Sequence, residues 1–245
     1  MFAAEFAYSA PSTLTDALQL ISEGGKPLAG GMSLVPMMKL RLAQPERLVD
    51  LRRVPGLKGV AEDNGRLRIG ALTTHHEVSA DALVRLKCPL LSETAGHIGD
   101  VQVRNMGTIG GSLAHADPAA DWPATILASG ATLVVAGLNG RREIAATDFF
   151  LDPFTTALEP GELLVEIVVP VDAAGARSTY RKMSQPASGF AIVGIAAMVE
   201  KAEGKVSACR IGVTGVAGVP FRATAAEQRL RSEERRVGKE CRSRW

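Results

Sequence analysis

The sequence has little of what several protein classes require. Its three cysteines, Cys88, Cys209 and Cys241, are far apart, and no CxxC pair occurs. This spacing indicates neither a disulfide framework nor a metal or iron–sulfur site, so reduced thiols and a cytoplasmic location are expected. The longest apolar run, residues 190–199, is half of what a membrane span needs. The N-terminus does not have the pattern of a secretory signal peptide.

An excess of charge of one sign is also missing. The 245 residues include 28 Lys and Arg against 26 Asp and Glu, a net charge of +2. Residues 227–245 contain seven basic and four acidic side chains, so the remainder has 21 and 22, a net charge of −1. This part of the sequence therefore does not have the excess of basic residues that is typical of nucleic-acid-binding proteins. With 46% hydrophobic and 22% charged residues, the composition is typical of a soluble globular protein.

Two common phosphate-binding motifs are absent. The chain has neither the GxGxxG of a Rossmann fold nor a glycine-rich loop that ends in GK[ST]. These absences count against standard NAD binding and against phosphoryl transfer.

What is present is a mixture of helix and strand signals. "STLTDALQLISEGG" predicts a helix with Ser12 or Thr13 as its N-cap. Short strands are predicted at 26–30 and 47–51, with a short helix from Ser33 to Arg41 between them.

Further along, the turn signals Asn64–Gly65 and Asn139–Gly140 predict hairpins over 59–71 and 131–144. Additional helices are predicted after Thr74 and from Pro89. A strand is predicted at 162–170, followed by a flexible polar segment at 172–177, an apolar stretch at 190–199 and a strand at 206–216.

Two glycine pairs share one pattern. Gly30–Gly31 precedes Ser33 and Gly110–Gly111 precedes Ser112, and a helix-like segment follows each. Glycine permits positive φ and close backbone approach, so successive amides can converge on an anion at a helix start. Two such loops closing from opposite sides would hold a pyrophosphate, which suggests a dinucleotide. Taken singly, each pair is more typical of a structural turn than of an anion site.

The segments "LAGGMSLVPMMKLRL", "TIGGSLAHADPAAD" and "ELLVEIVVP" together resemble the FAD-binding medium subunit of the molybdenum hydroxylases, the family of xanthine dehydrogenase and aerobic carbon monoxide dehydrogenase. The resemblance covers roughly residues 1 to 225. It implies an α+β fold of the vanillyl-alcohol-oxidase and MurB (PCMH) type. The expected divisions are two FAD-binding subdomains, 1–52 and 53–172, and a partial C-terminal α+β domain, 177–230.

The resemblance also implies a set of cofactor-binding residues and no catalytic residue or metal ligand. The set is Ala29, Gly30, Gly31, Met32, Ser33, Leu34, Val35, Ile98, Thr108, Gly110, Gly111, Ser112, Asp121, Leu164 and Lys182. Residues 29–35 and 108–112 would wrap the FAD pyrophosphate from two sides, with Ser112 where many relatives have Asn. Asp121 would reach a ribose or adenine-side hydroxyl, and Ile98 would pack on the adenine.

At the flavin end, the resemblance places Leu164 and Lys182 along the isoalloxazine ring, where a positive charge would stabilise an anionic reduced flavin. Phe190 is the candidate to screen one flavin face. A small subunit with [2Fe–2S] clusters and a large molybdopterin subunit would be the partners, and NAD or a quinone-type acceptor would receive the electrons. A stand-alone MurB-like flavin oxidoreductase and an inactive truncated fragment are the alternatives.

The remaining candidates favour structural roles. His75 and His76 are expected at the surface or in a cap, Arg104 in solvent, and Cys88 in the core. His115 lies inside the second glycine segment and is as compatible with a place near the cofactor as with a structural role. Asp117 is expected to form a turn. Residues 231–245 carry no apolar period, and they are interpreted as a non-native tail or a solvated basic one.

Overall fold

A computed structural model describes residues 2–202 and 205–232. The strands are β1 (Ala7–Ser9), β2 (Lys26–Leu28), β3 (Arg47–Asp50), β4 (Val60–Asp63), β5 (Arg66–Gly70), β6 (Thr132–Gly137), β7 (Gly140–Ala145), β8 (Phe150–Asp152), β9 (Thr155–Thr156), β10 (Leu163–Pro170), β11 (Arg177–Ser184), β12 (Ala191–Ala202), β13 (Lys205–Thr214) and β14 (Phe221–Arg222).

The helices occupy the segments between and after these strands. They are α1 (Leu14–Ser22), α2 (Leu34–Lys39), α3 (His75–Ala80), α4 (Ala82–Lys87), α5 (Pro89–His97), α6 (Val101–Met106), α7 (Ile109–His115), α8 (Trp122–Ser129), α9 (Ala146–Phe149) and α10 (Thr224–Ser232), with a 3-10 turn at Leu51–Arg53. The mixture confirms the predicted α+β class.

The N-terminal strands form a parallel sheet in the order β1-β3-β2. Helices α1 and α2 connect them, as parallel strands require a crossover. The Thr13 hydroxyl accepts a hydrogen bond from the Asp16 amide, which confirms the predicted helix start. Ala17 and Leu18 of α1 are buried in a cluster with Val49 of β3. The chain between β2 and α2 therefore leaves this sheet at a fixed place, and it carries the first glycine pair.

The second sheet is antiparallel, in the order β4-β5-β10-β6-β7. Both predicted hairpins are present, and Asn64 and Gly65 adopt positive φ at the first turn. β10 pairs with both β5 and β6 and so joins the two hairpins. Its first residues, Leu163 and Leu164, are buried beside the cavity described below.

Helix α8 is buried along its whole length, from Trp122 to Ser129. It packs against β12 and β13 of the third sheet and also against α5 and β10. A helix that is apolar on all sides is stable only when it is enclosed in this way. Asp121, the residue before this helix, consequently lies between the C-terminal sheet and the rest of the molecule.

The third sheet is antiparallel, in the order β11-β12-β13-β14, and α10 packs on β13. These three sheets lie within the ranges 1–52, 53–172 and 177–230, whose status as separate domains stays a prediction, and β8 and β9 form a further two-stranded sheet within the second range. The tail interpreted as non-native, 231–245, lies outside the described residues except for Arg231 and Ser232, which end α10. In the described part of the chain, no helix has both the length and the apolar character for crossing a membrane.

Candidate functional site: a cleft between two glycine segments

A cavity of about 590 Å³ opens between the N-terminal sheet and the second sheet. This volume is within the range of cofactor and ligand sites in proteins. Its walls come from the chain after β2, from residues 107–121 around α7, from the start of β10 and from residues 188–190. Both glycine segments therefore face one cavity.

The two glycine segments touch each other. A Cβ atom on Gly30 would lie 2.0 Å from the carbonyl oxygen of Met106 and 2.8 Å from the Cα of Gly107. One on Gly111 would lie 3.4 Å from the Cβ of Ala29. No side chain fits at Gly30, because the backbone of the second segment passes directly beside it. The predicted proximity of 29–33 and 108–112 is confirmed.

The first segment has the geometry expected of an anion-binding turn. Gly31 has φ +73°, a conformation that favours glycine. The amides of residues 30–33 donate to no acceptor within the described residues. Ser33 precedes α2, but its hydroxyl makes no capping hydrogen bond. Free amides and a free hydroxyl are therefore available at this wall of the cleft.

The second segment has a different backbone conformation, and the prediction of a loop with positive φ is wrong there. Gly110 and Gly111 lie in the first turn of α7, and neither has positive φ. Their amides are already used, by the carbonyl oxygen of Ala71 and by the hydroxyl of Thr108. Glycine is needed at 110 because a Cβ would lie 2.4 Å from the Cβ of Ala71. The presence of glycine here is therefore explained by the packing of α7 against Ala71, the residue after β5, and not by an anion-binding nest.

His75 is buried, so the prediction of a surface or cap role is wrong for it. The cap of α3 is Thr74, which forms a capping box with Glu77. The His75 Nδ1 atom accepts a hydrogen bond from Trp122 Nε1 at 3.0 Å, which fixes the neutral tautomer with its proton on Nε2. Burial, assisted by the charge of Arg104, lowers the pKa of His75 to about 4. The ring lines the cavity beside Gly107.

Asp121 lies in the cavity wall, and two residues of β11 donate hydrogen bonds to its carboxylate from the side away from the cavity. The Tyr180 hydroxyl donates to its Oδ1 atom, and the Lys182 ammonium donates to its Oδ2 atom at 2.9 Å. The Lys182 side chain is only 2% exposed and is not part of the cavity lining. The Lys182 ammonium is thus paired with the Asp121 carboxylate and does not face the cavity.

Comparison with known proteins shows which family has this fold and cleft. Residues 4–172 match the model of the FAD binding domain in molybdopterin dehydrogenase, and residues 178–235 match the CO dehydrogenase flavoprotein C-terminal domain. The chain belongs to the FAD-binding medium-subunit family of the molybdenum hydroxylases. The cofactor of this family's first domain is FAD.

Several relatives span almost the whole chain. It is 42% identical to the carbon monoxide dehydrogenase medium chain of Hydrogenophaga pseudoflava, over 94% of this chain and 81% of that one. The glyceraldehyde dehydrogenase medium chain of Sulfolobus acidocaldarius is 37% identical, over 94% and 82%. Among solved structures, carbon monoxide dehydrogenase from Hydrogenophaga pseudoflava, lacking the Mo-pyranopterin moiety of its cofactor, superimposes with a TM-score of 0.93 at 44% identity, over 95% and 82%. Quinoline 2-oxidoreductase from Pseudomonas putida 86 gives 0.88 at 34% identity, over 94% and 81%.

The residues of the cleft fit the FAD of this family. The free amides of 30–33 suit an anion, and the close contact of Gly30 with Met106 and Gly107 brings this wall next to the start of α7. Apolar side chains at Ile98, Leu164 and Phe190 line other parts of the cavity and suit flat aromatic rings.

All the residues that the resemblance implied, except Val35 and Lys182, line the cavity. His115 and Asp117 line it too, whereas His76 is exposed as expected. Arg104 is not simply solvated, because its guanidinium donates to the carbonyl oxygens of Ile98 and Gly99. Sequence reasoning missed the pairing of His75 with Trp122, because their contact depends on two helices meeting and no local pattern signals it.

Proposed function

We propose that this chain is the FAD-carrying electron-transfer subunit of a molybdenum hydroxylase complex. Family membership supports the cofactor, and the observation that carries the proposal is the meeting of two glycine segments across one cleft, with free amides on one wall. The partners are a small subunit with [2Fe–2S] clusters and a large molybdopterin subunit. The electron acceptor is NAD or a quinone-type compound, and the location is the cytoplasm.

The chain's own residues divide the work of holding the cofactor. The amides of 30–33 and the Ser33 hydroxyl bind the diphosphate from one side. On the other side, the start of α7 presents Gly111 and the hydroxyl of Ser112. Ile98 packs on the adenine and Leu164 on the flavin, with Phe190 at one face. Asp121 accepts a hydrogen bond from a hydroxyl group of the cofactor.

When it is bound, the flavin supplies the electron transfer. The protein binds and orients it, and the apolar side chains of the cavity exclude water from the ring. His75, held neutral by burial, adds no positive charge to the cleft at neutral pH.

Titration of the purified chain with FAD, FMN and riboflavin tests the cofactor assignment. FAD should bind most tightly, and flavin absorbance bands should remain with the protein after gel filtration. Equal affinity for FAD and riboflavin would contradict a diphosphate site between the glycine segments.

The electron path needs a separate experiment. The FAD-loaded chain is mixed anaerobically with a reduced [2Fe–2S] small subunit of a molybdenum hydroxylase, and flavin bleaching is followed. NAD or a quinone is then added, and the compound that restores the flavin absorbance is the acceptor. Failure of the reduced iron–sulfur subunit to bleach the flavin would overturn the proposed path.

A further inference from the structure

The C-terminal sheet contacts the cavity wall at Asp121, in addition to the connection between β11 and β12, whose residues 188–190 line the cavity themselves. Tyr180 and Lys182 are two residues apart on β11, so their side chains leave the same face of the strand. Both point to Asp121, at the N-terminus of α8. The Lys182 ammonium also donates to the carbonyl oxygen of His97 at 3.1 Å. Two of its three hydrogens therefore have acceptors in the protein.

The sheet is shaped to admit this contact. Gly194 of β12 pairs with Lys182, and a Cβ atom on Gly194 would lie 2.4 Å from the Tyr180 hydroxyl oxygen. Any side chain at 194 would push the phenol away from the carboxylate. Tyr180 itself is fully buried, and the side chains of Lys182 and Asp121 are 2% and 6% exposed. The cluster is thus enclosed on the side of the sheet and reaches the cavity only through Asp121.

Charge explains why such a cluster is needed next to an anionic cofactor. Burial raises the pKa of the Asp121 carboxyl, because it disfavours the charged form, and the bonds from Tyr180 and Lys182 act in the opposite direction. An unpaired carboxylate in this wall would be costly in itself and would repel a diphosphate. A carboxylate paired with an ammonium is neutral in sum, and its oxygens keep lone pairs for a hydroxyl group.

We propose that Tyr180 and Lys182 are positioning residues for the cofactor. From the C-terminal sheet, they orient the Asp121 carboxylate and compensate its charge, so that it accepts a hydrogen bond from a ribose-type hydroxyl without repelling the diphosphate. This inference rests on the proposed function and assigns Lys182 a role that acts through Asp121. It replaces direct contact between the ammonium and the isoalloxazine ring.

The test compares four variants with the wild-type chain: Lys182→Met, Asp121→Asn, the double variant, and Arg181→Met as the matched control. Arg181 neighbours Lys182 on the strand, but its side chain is 75% exposed and pairs with Glu93. FAD dissociation constants are measured by titration, and urea unfolding of each variant checks its folding.

Lys182→Met should weaken FAD binding about tenfold or more, because it leaves a buried carboxylate without its cation. The double variant should bind FAD within about threefold of Asp121→Asn, since Lys182 acts only through the Asp121 carboxylate, which both variants lack. Arg181→Met should bind like the wild type. If Lys182→Met does not fold, the comparison of the double variant with Asp121→Asn still decides.

The reduction potential of the bound flavin distinguishes a Lys182 that acts through Asp121 from one that contacts the isoalloxazine ring. The double variant and Asp121→Asn should have equal potentials, because Lys182 does not touch the ring in this proposal. A shifted potential in the double variant alone, or a double variant that binds FAD as weakly as Lys182→Met, would overturn the inference. Lys182→Met with wild-type affinity would do the same. A wild-type chain that does not bind FAD would instead refute the proposed function.

Discussion

Gly30–Gly31 and Gly110–Gly111 lie on opposite walls of one cleft, but their backbone amides are in opposite states. The first pair sits in a turn with φ +73° at Gly31, and its amides have no acceptor in the described part of the chain. The second pair sits in a helix whose first-turn amides are bonded to Thr73, Ala71 and Thr108. Gly30 and Gly110 are both closely packed against another segment, so the two pairs differ in their amides: those of the first are free for a ligand, and those of the second are used within the protein.

The largest expected effect comes from adding a methyl group where neighbouring atoms already occupy the space. Gly30→Ala and Gly110→Ala should each lower the free energy of unfolding by about 3 kcal/mol or more, because rigid backbone lies where the new methyl group must go. Urea unfolding followed by circular dichroism measures this.

Gly96→Ala in α5 is the control for that experiment. Gly96 is exposed, and nothing lies within 4 Å of a Cβ there. The control should be neutral or should stabilise the protein by about 0.5–1 kcal/mol, since alanine favours the helix. Unfolding midpoints at Gly30→Ala equal to those of the control would show that the two segments do not touch in solution.

His75 contacts the second segment and not the first, because its amide donates to the carbonyl oxygen of Gly107. Its pKa of about 4 in the folded protein is below the 6.5 of a free histidine, so the unfolded chain binds more protons between these values. Stability should therefore fall as the pH drops through this window, by on the order of 3 kcal/mol.

Unfolding free energies at several pH values between 7.5 and 4 check this expectation. His75→Leu should lose this part of the acid sensitivity, whereas His76→Leu, a change at the exposed neighbour, should keep it. Equal pH dependence in the two variants would exclude His75 as its source.

Gly111→Val tests the width of the cleft rather than the fold. A Cβ atom there would lie 2.8 Å from the Thr108 hydroxyl oxygen and 3.4 Å from Ala29, so the branched side chain narrows the gap between the walls. FAD binding should weaken about tenfold or more, a loss of about 1.4 kcal/mol or more. Calorimetric titration measures the change. Unaltered affinity would mean that FAD does not pass between the segments.

The smallest expected difference concerns the two hydroxyl residues that precede the helices. Thr108→Val removes the acceptor that caps α7 and should cost about 1 kcal/mol of stability. Ser33→Ala removes a hydroxyl that caps nothing and should cost less than about 0.5 kcal/mol, while weakening FAD binding. Thermal unfolding with and without FAD separates the two quantities. The reverse order of stabilities would contradict the contrast between the segments.

Local signals in the sequence were sufficient for most of the fold. The cap at Thr13, the hairpin turn at Asn64–Gly65 and the strand 162–170 each follow from short-range chemistry, and the structure has each of them. The approach of the glycine segments was also predictable, through the resemblance to a family.

What could not be predicted depends on contacts between distant residues. The helical state of Gly110 is set by Ala71, the burial of His75 by Trp122, and the pairing of Lys182 by Asp121. Each partner lies tens of residues away in the sequence. The family pattern identifies a residue as part of the site, but it does not show which side chains surround that residue. Such pairings are decided by tertiary packing, which overrides local preference.

The central place of β10 in the second sheet has a consequence for synthesis on the ribosome. β5 and β6 flank this strand, so both present unpaired edges to solvent until residues 163–170 have emerged. The wall that contains Leu163 and Leu164 is completed at the same late moment. The nascent chain therefore remains open to aggregation, and its cofactor cavity incomplete, until β10 has been synthesised.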